Sequence, residues 1–333
     1  MIIDLFAGAG GTDEGLKQAG ITEEVLGIEW LDTVCRTARA AGHPRLCADV
    51  TLINPLEYSP TGLLGSPSCQ GFSSAGLKLG HGDSVMLLEA ITHIRDADDV
   101  DAAILYLRRH MKDDRSILVL EPLRWALRTT PRWLLWEQVP AVLPIWQTCA
   151  EVLRRLGWSV EVDKLHAEQF GTPQTRTRAF LVARSPEETA ARGPAKLPKP
   201  THGKFNPRKP IFDPFADLTL KRWVSIRQAF IDTGLIDRFT DQPWHFAGAG
   251  AASERTAGQI PRSLDMPAHT VTGRNTAAWL SPEGNRQATP AELGVLQGFR
   301  ADYPWVGSLG ERQQQVGDCV PVPLAAAVVS AIY

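Results

Sequence analysis

Apolar and polar positions change period again and again along the first half of the chain. Met1–Phe6 is a short apolar run that reads as a strand, Ala7–Gly11 is a glycine-rich turn, and Thr12–Gln18 has helical spacing closed by Gly20. The cycle repeats with a strand over Glu24–Glu29, a helix over Thr33–Ala41 and a strand over Arg45–Val50. A fourth strand ends near Gly62–Gly65, a fifth covers Trp133–Trp136, and Trp158–Leu165 with Ala179–Ala183 reads as a hairpin-like pair. Alternation of this kind implies an α/β fold, a parallel sheet with crossover helices.

Two stretches break the rhythm. Between the fourth and fifth strands, Asp83–Arg115 holds eight acidic and five basic residues in a helical pattern, and is read as an insertion bounded at about 77–115. From Ser185 to Pro214 the chain turns Pro-rich and basic, as a linker into a second module would. Over Arg192–Gln228, nine Lys/Arg stand against two Asp; this fits a phosphate-facing strip or a solvated linker equally well. Helical spacing marks Trp223–Phe230, and returns at Pro290–Gln297 and Val320–Ile332. The expected division is a larger α/β domain from 1–184 and 280–333, with a smaller one over 185–279.

Composition removes several classes. With 44% hydrophobic and 22% charged residues, the 333-residue chain is neither disordered, nor collagen-like, nor a disulfide scaffold. The net charge of −2 means that any nucleic acid must be met by a local basic surface. Five cysteines (Cys35, Cys47, Cys69, Cys149, Cys319), an odd number without a CxxC pair, fit a reducing compartment and argue against structural zinc; no metal is expected. The chain starts directly on a strand, without a basic leader or a long apolar run, so a cytoplasmic protein without membrane contact is expected, and a monomer.

The candidate chemistry clusters where strands end. Gly8, Gly10 and Gly11 follow the first strand and Glu29 closes the second, an arrangement in which a ligand approaches backbone at a helix N-terminus and a carboxylate takes ribose hydroxyls. Nicotinamide, flavin and S-adenosylmethionine sites share this geometry, as do some purely structural turns. Asp49, ending the third strand, suits either a contact to adenine or a helix N-cap. Cys69 sits in Gly65–Ser73, a loop of small residues after the fourth strand, where a nucleophile is at home. A free thiol has a pKa of about 8.5, so Cys69 would need a positive neighbour or a helix N-terminus to react as thiolate. Glu137 in Trp136–Val139, Arg176 and Arg178 in Gln174–Arg178, and the Gly317–Pro321 segment supply partners; singly each would pass for a surface group, and only the ordered set outweighs that reading.

That ordered set resembles the DNA cytosine-5 methyltransferase family. DLFAGAGG is similar to its first motif, Glu29-Trp30 to the second, Asp49-Val50 to the third and SPSCQGFS to its catalytic loop. LVLEPLRW, WEQV, FGTPQTRTRAFLVA, PAHTVTGRN and GDCVPVPLAAAV are similar to later ones. The resemblance implies a Rossmann-like methyltransferase sheet with a smaller target-recognition domain. It also implies transfer of a methyl group from S-adenosylmethionine to carbon 5 of cytosine in duplex DNA, with the base flipped out of the stack. Cys69 would add to carbon 6, Glu137 would bond ring nitrogen 3 and the exocyclic amine, and Arg178 would hold oxygen 2. Arg176 would support the loop or a phosphate, and Gln70 would close over the base. Phe6, Gly8, Gly10 and Gly11 would take the methionine end of the cofactor, Glu29 the ribose, and Trp30, Asp49 and Val50 the adenine. Val320 would close the pocket from the C-terminal side.

Three residues depart from the family pattern: Ser68 replaces a proline, Gln138 an asparagine after the glutamate, and Asp318 an asparagine in the last motif. Arg238, His245 and Arg255 are candidates for reading base edges. A cognate restriction endonuclease is an expected partner. An RNA (tRNA) cytosine-5 methyltransferase and a catalytically quiet DNA-binding member of the family are the alternatives.

Overall fold

In the computed structural model, which describes residues 1–67, 81–111, 113–212, 217–248, 260–273 and 277–333, the alternating half of the chain forms one seven-stranded sheet. Strands β1 (Ile2–Leu5), β2 (Val25–Glu29), β3 (Arg45–Cys47), β4 (Gly62–Gly65) and β5 (Trp133–Gln138) are parallel. β6 (Ser159–His166) and β7 (Thr177–Arg184) close the far side antiparallel, giving the order β3-β2-β1-β4-β5-β7-β6. The order reverses between β1 and β4, and crevices for ligands open at the carboxyl ends of strands around such a point.

β1, β4 and β5 are buried throughout because helices cover both faces, so they read as continuous apolar runs. Ile3, Leu5, Leu63, Leu134 and Trp136 point into one core, and Ile2, Leu64, Trp133 and Leu135 into the other. Helices α1 (Gly11–Gln18) and α2 (Asp32–Ala40) are the crossovers near the turn.

The expected insertion is no appendage. α3 (His81–Thr92) and α4 (Ala97–His110) place Leu87, Ile91, Val100, Ile104 and Leu107 in the same core as Leu63 and Trp136, together with α5 (Glu121–Thr129) and α6 (Leu143–Arg155). Arg128 on α5 ties down the acidic face of α4 through Asp98 at 2.7 Å and Asp101 at 2.5 Å.

The expected linker also has structure. Ser185 caps a helix, α7 (Pro186–Arg192), through its hydroxyl to the Glu188 N–H at 3.1 Å; the Ser-Pro-Glu-Glu start signal is masked by the proline-rich text after it. Beyond α8 (Ile226–Asp232), strands β8 (His245–Ala247), β9 (Arg262–Ser263), β10 (Ala278–Ser281) and β11 (Gly284–Gln287) form an antiparallel sheet in the order β11-β10-β8-β9. Its core of Phe230, Phe239, Phe246 and Trp279 takes in Leu293 of α9 (Pro290–Leu296) and Val316 of α10 (Leu309–Asp318), so it runs past residue 279. β11, Gly-Asn-Arg-Gln, is polar and mostly exposed, so no apolar pattern marks it as a strand.

α11 (Val322–Ile332) packs on α1 and returns to the large sheet. The stretch Leu309–Ile332 is apolar and long enough to cross a membrane, but 72% of its apolar window is buried inside the protein, which makes it a core element.

Candidate active site

β1 leaves the sheet through Phe6, held in the left-handed region at φ 58°, an uncommon conformation for a bulky residue and one that clusters at functional turns. The three glycines of the turn serve different ends. A side chain on Gly8 would project into open space, so backbone there is accessible to a ligand. Gly10, at φ 115°, faces the Tyr303 hydroxyl and the His43 ring, and Gly11 faces the Val320 carbonyl oxygen. These two are small so that protein can pack on the turn, and Val320 presses its backbone against Gly11 as the C-terminal segment crosses.

Glu29 ends β2 with its carboxylate turned back on the turn. Oε2 accepts the Gly8 N–H at 3.1 Å, and Oε1 accepts those of Trp30 at 2.9 Å and Leu31 at 3.0 Å. A carboxylate offers about four acceptor positions, so one remains for a hydroxyl donor. Burial raises its pKa against the pull of these donors. Trp30 next to it is 68% exposed, a flat apolar ring with open faces. Asp49 caps the 3-10 turn Val50–Leu52 by accepting the Thr51 N–H at 2.9 Å; its second oxygen has no partner among the described residues. The Val50 side chain is in the core with Leu5 and Ile28.

Sequence reasoning missed what holds this turn in place. Arg45 opens β3 with its side chain fully buried, and its guanidinium grips Asp13 of α1 through Nη1–Oδ1 at 3.1 Å and Nη2–Oδ2 at 2.5 Å. It also donates from Nε to the Gly8 carbonyl at 3.2 Å and from Nη2 to the Ala7 carbonyl at 3.4 Å. The turn is thus held by an anion on one side and a cation on the other. The Tyr303 hydroxyl donates to the Ala9 carbonyl at 2.6 Å, and His43 lies 2.9 Å from Glu14. Although burial alone would raise it, the Asp13 pKa stays below the ordinary value because Arg45 sits against it. Asp4, buried in β1, is pushed up to about 8 by burial and by Asp13. An arginine in register with Gly27 of β2 is the one signal that could have revealed the clamp.

The other half of the site lies at the same sheet edge beyond β4. Glu137 is buried at the end of β5, with Oε1 3.0 Å from Arg178 Nε but accepting no hydrogen bond among the described residues. Burial raises its pKa, only partly offset by Arg178 and Arg176. Arg178 also donates to the Thr177 carbonyl at 2.8 Å. Arg176 is buried and spent on the protein, donating to the Val271 carbonyl at 2.8 Å and the Gly317 carbonyl at 2.9 Å. It ties the β6–β7 connection to the C-terminal segment and is not available to a phosphate. Gln138, the departure from the family pattern, donates to the Pro67 carbonyl and accepts from the Val139 N–H. Asp318 is exposed and accepts from Gln314 at 2.6 Å.

Cys69, Gln70 and Ser68 lie outside the described residues, as does Arg255. The chain that carries Cys69 leaves β4 at Gly65–Pro67, and β4 lies between β1 and β5 in the sheet. At a strand spacing of about 4.8 Å, the two halves of the site are separated by about 10 Å at the sheet edge. Arg238 lies 3.6 Å from Glu292 beside the small sheet, and His245 begins β8.

Chemically the first half offers an open cradle at Gly8, an acceptor for a hydroxyl and a ring to stack on, a set that fits a nucleoside with a charged tail. The second half offers a buried carboxyl whose pKa burial raises and a guanidinium, a set that fits a polar planar base.

A family model described as C-5 cytosine-specific DNA methylase matches residues 1–97 and 104–333. The chain is 28% identical over 359 residues to the type II methyltransferase M1.HphI of Haemophilus parahaemolyticus, covering 99% of this chain and 86% of that protein. It is 26% identical to M.AplI of Arthrospira platensis, covering 100% and 85%. Among solved structures, a DNMT2 variant of Spodoptera frugiperda superposes with a TM-score of 0.60 at 14% identity, covering 99% and 98%, and the Dnmt2 methyltransferase of S. pombe with 0.56 at 15%, covering 99% and 96%.

Proposed function

Because the chain belongs to the C-5 cytosine-specific DNA methylase family, we propose that this sheet edge binds S-adenosylmethionine at the β1–β2 end and methylates carbon 5 of a flipped cytosine at the β5–β7 end. The observation that carries the reading is the buried Glu137–Arg178 pair, at the same strand ends as the open Gly8 turn, with the chain to Cys69 rising between them.

Gly8 leaves room for the cofactor's methionine end, Glu29 takes a ribose hydroxyl, and the exposed Trp30 ring stacks on the adenine with Asp49 at its amine. When bound, S-adenosylmethionine supplies an electrophilic methyl group. The Cys69 thiolate adds to carbon 6 of the cytosine, and the electron pair released from the 5,6 double bond makes carbon 5 nucleophilic. Burial disfavours the charge of Glu137 and raises its pKa, which favours a carboxyl that donates to ring nitrogen 3 while its other oxygen accepts from the exocyclic amine. Arg178 meets oxygen 2, where negative charge gathers. After methylation a base removes the carbon 5 proton, the double bond re-forms and the thiolate leaves. Gln138 holds the Pro67 carbonyl at the root of the Cys69 loop, and its added length over asparagine keeps that grip.

The region around the small sheet of β8–β11 serves as target-recognition module. Likeness to type II methyltransferases supports DNA as substrate; the reading adds a cognate endonuclease as partner and a monomer working in the cytoplasm. The test is transfer of labelled methyl groups from S-adenosylmethionine to duplex DNA and, separately, to tRNA. Duplex DNA should be labelled and tRNA not, and Cys69→Ser should abolish labelling with cofactor affinity intact. Label in tRNA alone, or full activity in the variant, would overturn the reading.

A further inference from the structure

The basic stretch after α7 is built as a fixed ribbon. His202 bridges to Lys221, with the Gly203 N–H on the Lys221 carbonyl at 2.8 Å and the Lys221 N–H on the Thr201 carbonyl at 3.0 Å. The N–H groups of Thr201 and His202 both reach the Gln169 carbonyl, at 3.0 and 2.9 Å. The buried rings of Phe205 and Trp223 pack edge to face at 5.2 Å beneath it. A solvated linker has no such anchors.

The ribbon's cations are exposed and uncompensated. Lys199, Lys204, Lys209, Lys221 and Arg222, with Lys164 on β6, make no ion pair among the described residues, whereas Arg124, Arg128, Arg132, Arg192 and Arg227 each have a carboxylate. In a chain of net charge −2, six exposed cations on this stretch and β6 with no ion pair among the described residues call for an outside anion. They also adjoin the active edge. Lys204 Nζ lies 3.0 Å from Nε2 of His166, the last residue of β6, which is paired with Thr177 next to Arg178. β6 is two strands from β5, and Glu137 is level with Asp163, three residues before His166, so the ribbon begins about 14 Å from Glu137.

We propose that this ribbon, with His166 and Lys164, is a phosphate-holding surface that seats the backbone of duplex DNA beside the target base on the β6 side. The inference rests on the methyltransferase reading and adds the path of the DNA. The histidines agree with it. His166 is pulled below its ordinary pKa by burial, then by Lys204, with Asp163 opposing and Lys164 adding, and its Nδ1 meets the Thr177 hydroxyl. His202 is lowered by burial and by Lys221. A phosphate seated among these lysines would restore their affinity for protons.

The test measures binding of the full chain to a random-sequence DNA duplex by fluorescence anisotropy over a salt series, for the wild type and for Lys204→Gln/Lys221→Gln/Arg222→Gln. Each phosphate contact contributes about 0.9 to the slope of log affinity against log salt, so three lost contacts should flatten it by about 2 to 3. Affinity at low salt should fall by about tenfold or more, alike for all sequences. The thermal midpoint and S-adenosylmethionine affinity should not change, and Arg108→Gln/Arg109→Gln, which removes exposed cations from α4, should keep the wild-type slope. A triple variant that binds the duplex like the wild type overturns this inference alone, as does a slope change seen only with a structured RNA. A wild-type chain that binds no duplex overturns the functional reading together with it.

Discussion

Replacing Arg45 with methionine tests whether the glycine turn depends on a buried cation for its shape. The substitution keeps the length of the stem and removes a guanidinium that makes two bonds to Asp13 and one each to the Gly8 and Ala7 carbonyls. Asp13 would then stand buried, without its cation, near an Asp4 that already resists ionisation. Breaking a buried pair by removing one member costs about 3 to 5 kcal/mol, a large share of a typical stability of about 5 to 15 kcal/mol. Urea denaturation should show that loss, and calorimetric titration should show S-adenosylmethionine binding at least about tenfold weaker, as expected if the turn holds its binding shape only a tenth of the time. The informative partner is Arg45→Met/Asp13→Leu. Removing both charges relieves the stranded carboxylate, so most of the stability should return, while the Gly8 carbonyl still lacks its donor and cofactor affinity should stay low. If affinity recovers in step with stability, Arg45 only supports the fold. If the single variant loses under about 1 kcal/mol, the clamp has no energetic weight.

Three further substitutions test other parts of the site. Glu29→Gln keeps one acceptor oxygen but turns an amide group toward the Gly8 N–H, costing about one charge-assisted hydrogen bond, 1.5 to 3 kcal/mol, so cofactor affinity should drop by tenfold or more; unchanged affinity contradicts the ribose assignment. Asp4 has a native pKa of about 8 against an ordinary 3.8, so its contribution is fully present below the lower value and is lost as pH rises toward the upper. Wild-type stability should therefore fall by up to about 1.4 kcal/mol per pH unit through that window, and Asp4→Asn should remove the slope; parallel profiles would refute it. Glu137→Gln preserves the hydrogen-bond pattern toward a cytosine but has no carboxyl proton to give, so turnover should fall by about a hundredfold or more and the alkaline limb of the wild-type pH profile should vanish. Retention of that limb would assign it to another group.

The alternation of short apolar runs with helical spacing identified five parallel strands and the closing hairpin, because strands buried on both faces leave unbroken apolar text. Glu29 and Glu137 were legible for a related reason: strand ends at a sheet's carboxyl edge are where α/β folds present chemistry. Arg45, His43 and Tyr303 were not. Arg45 meets Asp13 only through sheet register, and Tyr303 reaches Ala9 across 294 residues of sequence, so no local pattern announces either contact. Gly10 and Gly11 show the limit of motif reading, since their smallness serves the packing of His43, Tyr303 and Val320 as much as any ligand. The basic stretch reads as linker as readily as phosphate-facing strip because the anchors of its described residues, Gln169 and the Phe205–Trp223 pair, are spread through irregular sequence.

The most direct measurement uses duplex DNA in which the target cytosine carries fluorine at carbon 5. Fluorine cannot leave as a proton does, so a thiolate added at carbon 6 is not expelled after methyl transfer. With S-adenosylmethionine present, the chain should form a denaturation-resistant complex with this duplex, the attached peptide should map to Cys69, and Cys69→Ala should form none. Attachment at another residue, or no complex from an enzyme that methylates unmodified duplex, would contradict nucleophilic addition by Cys69.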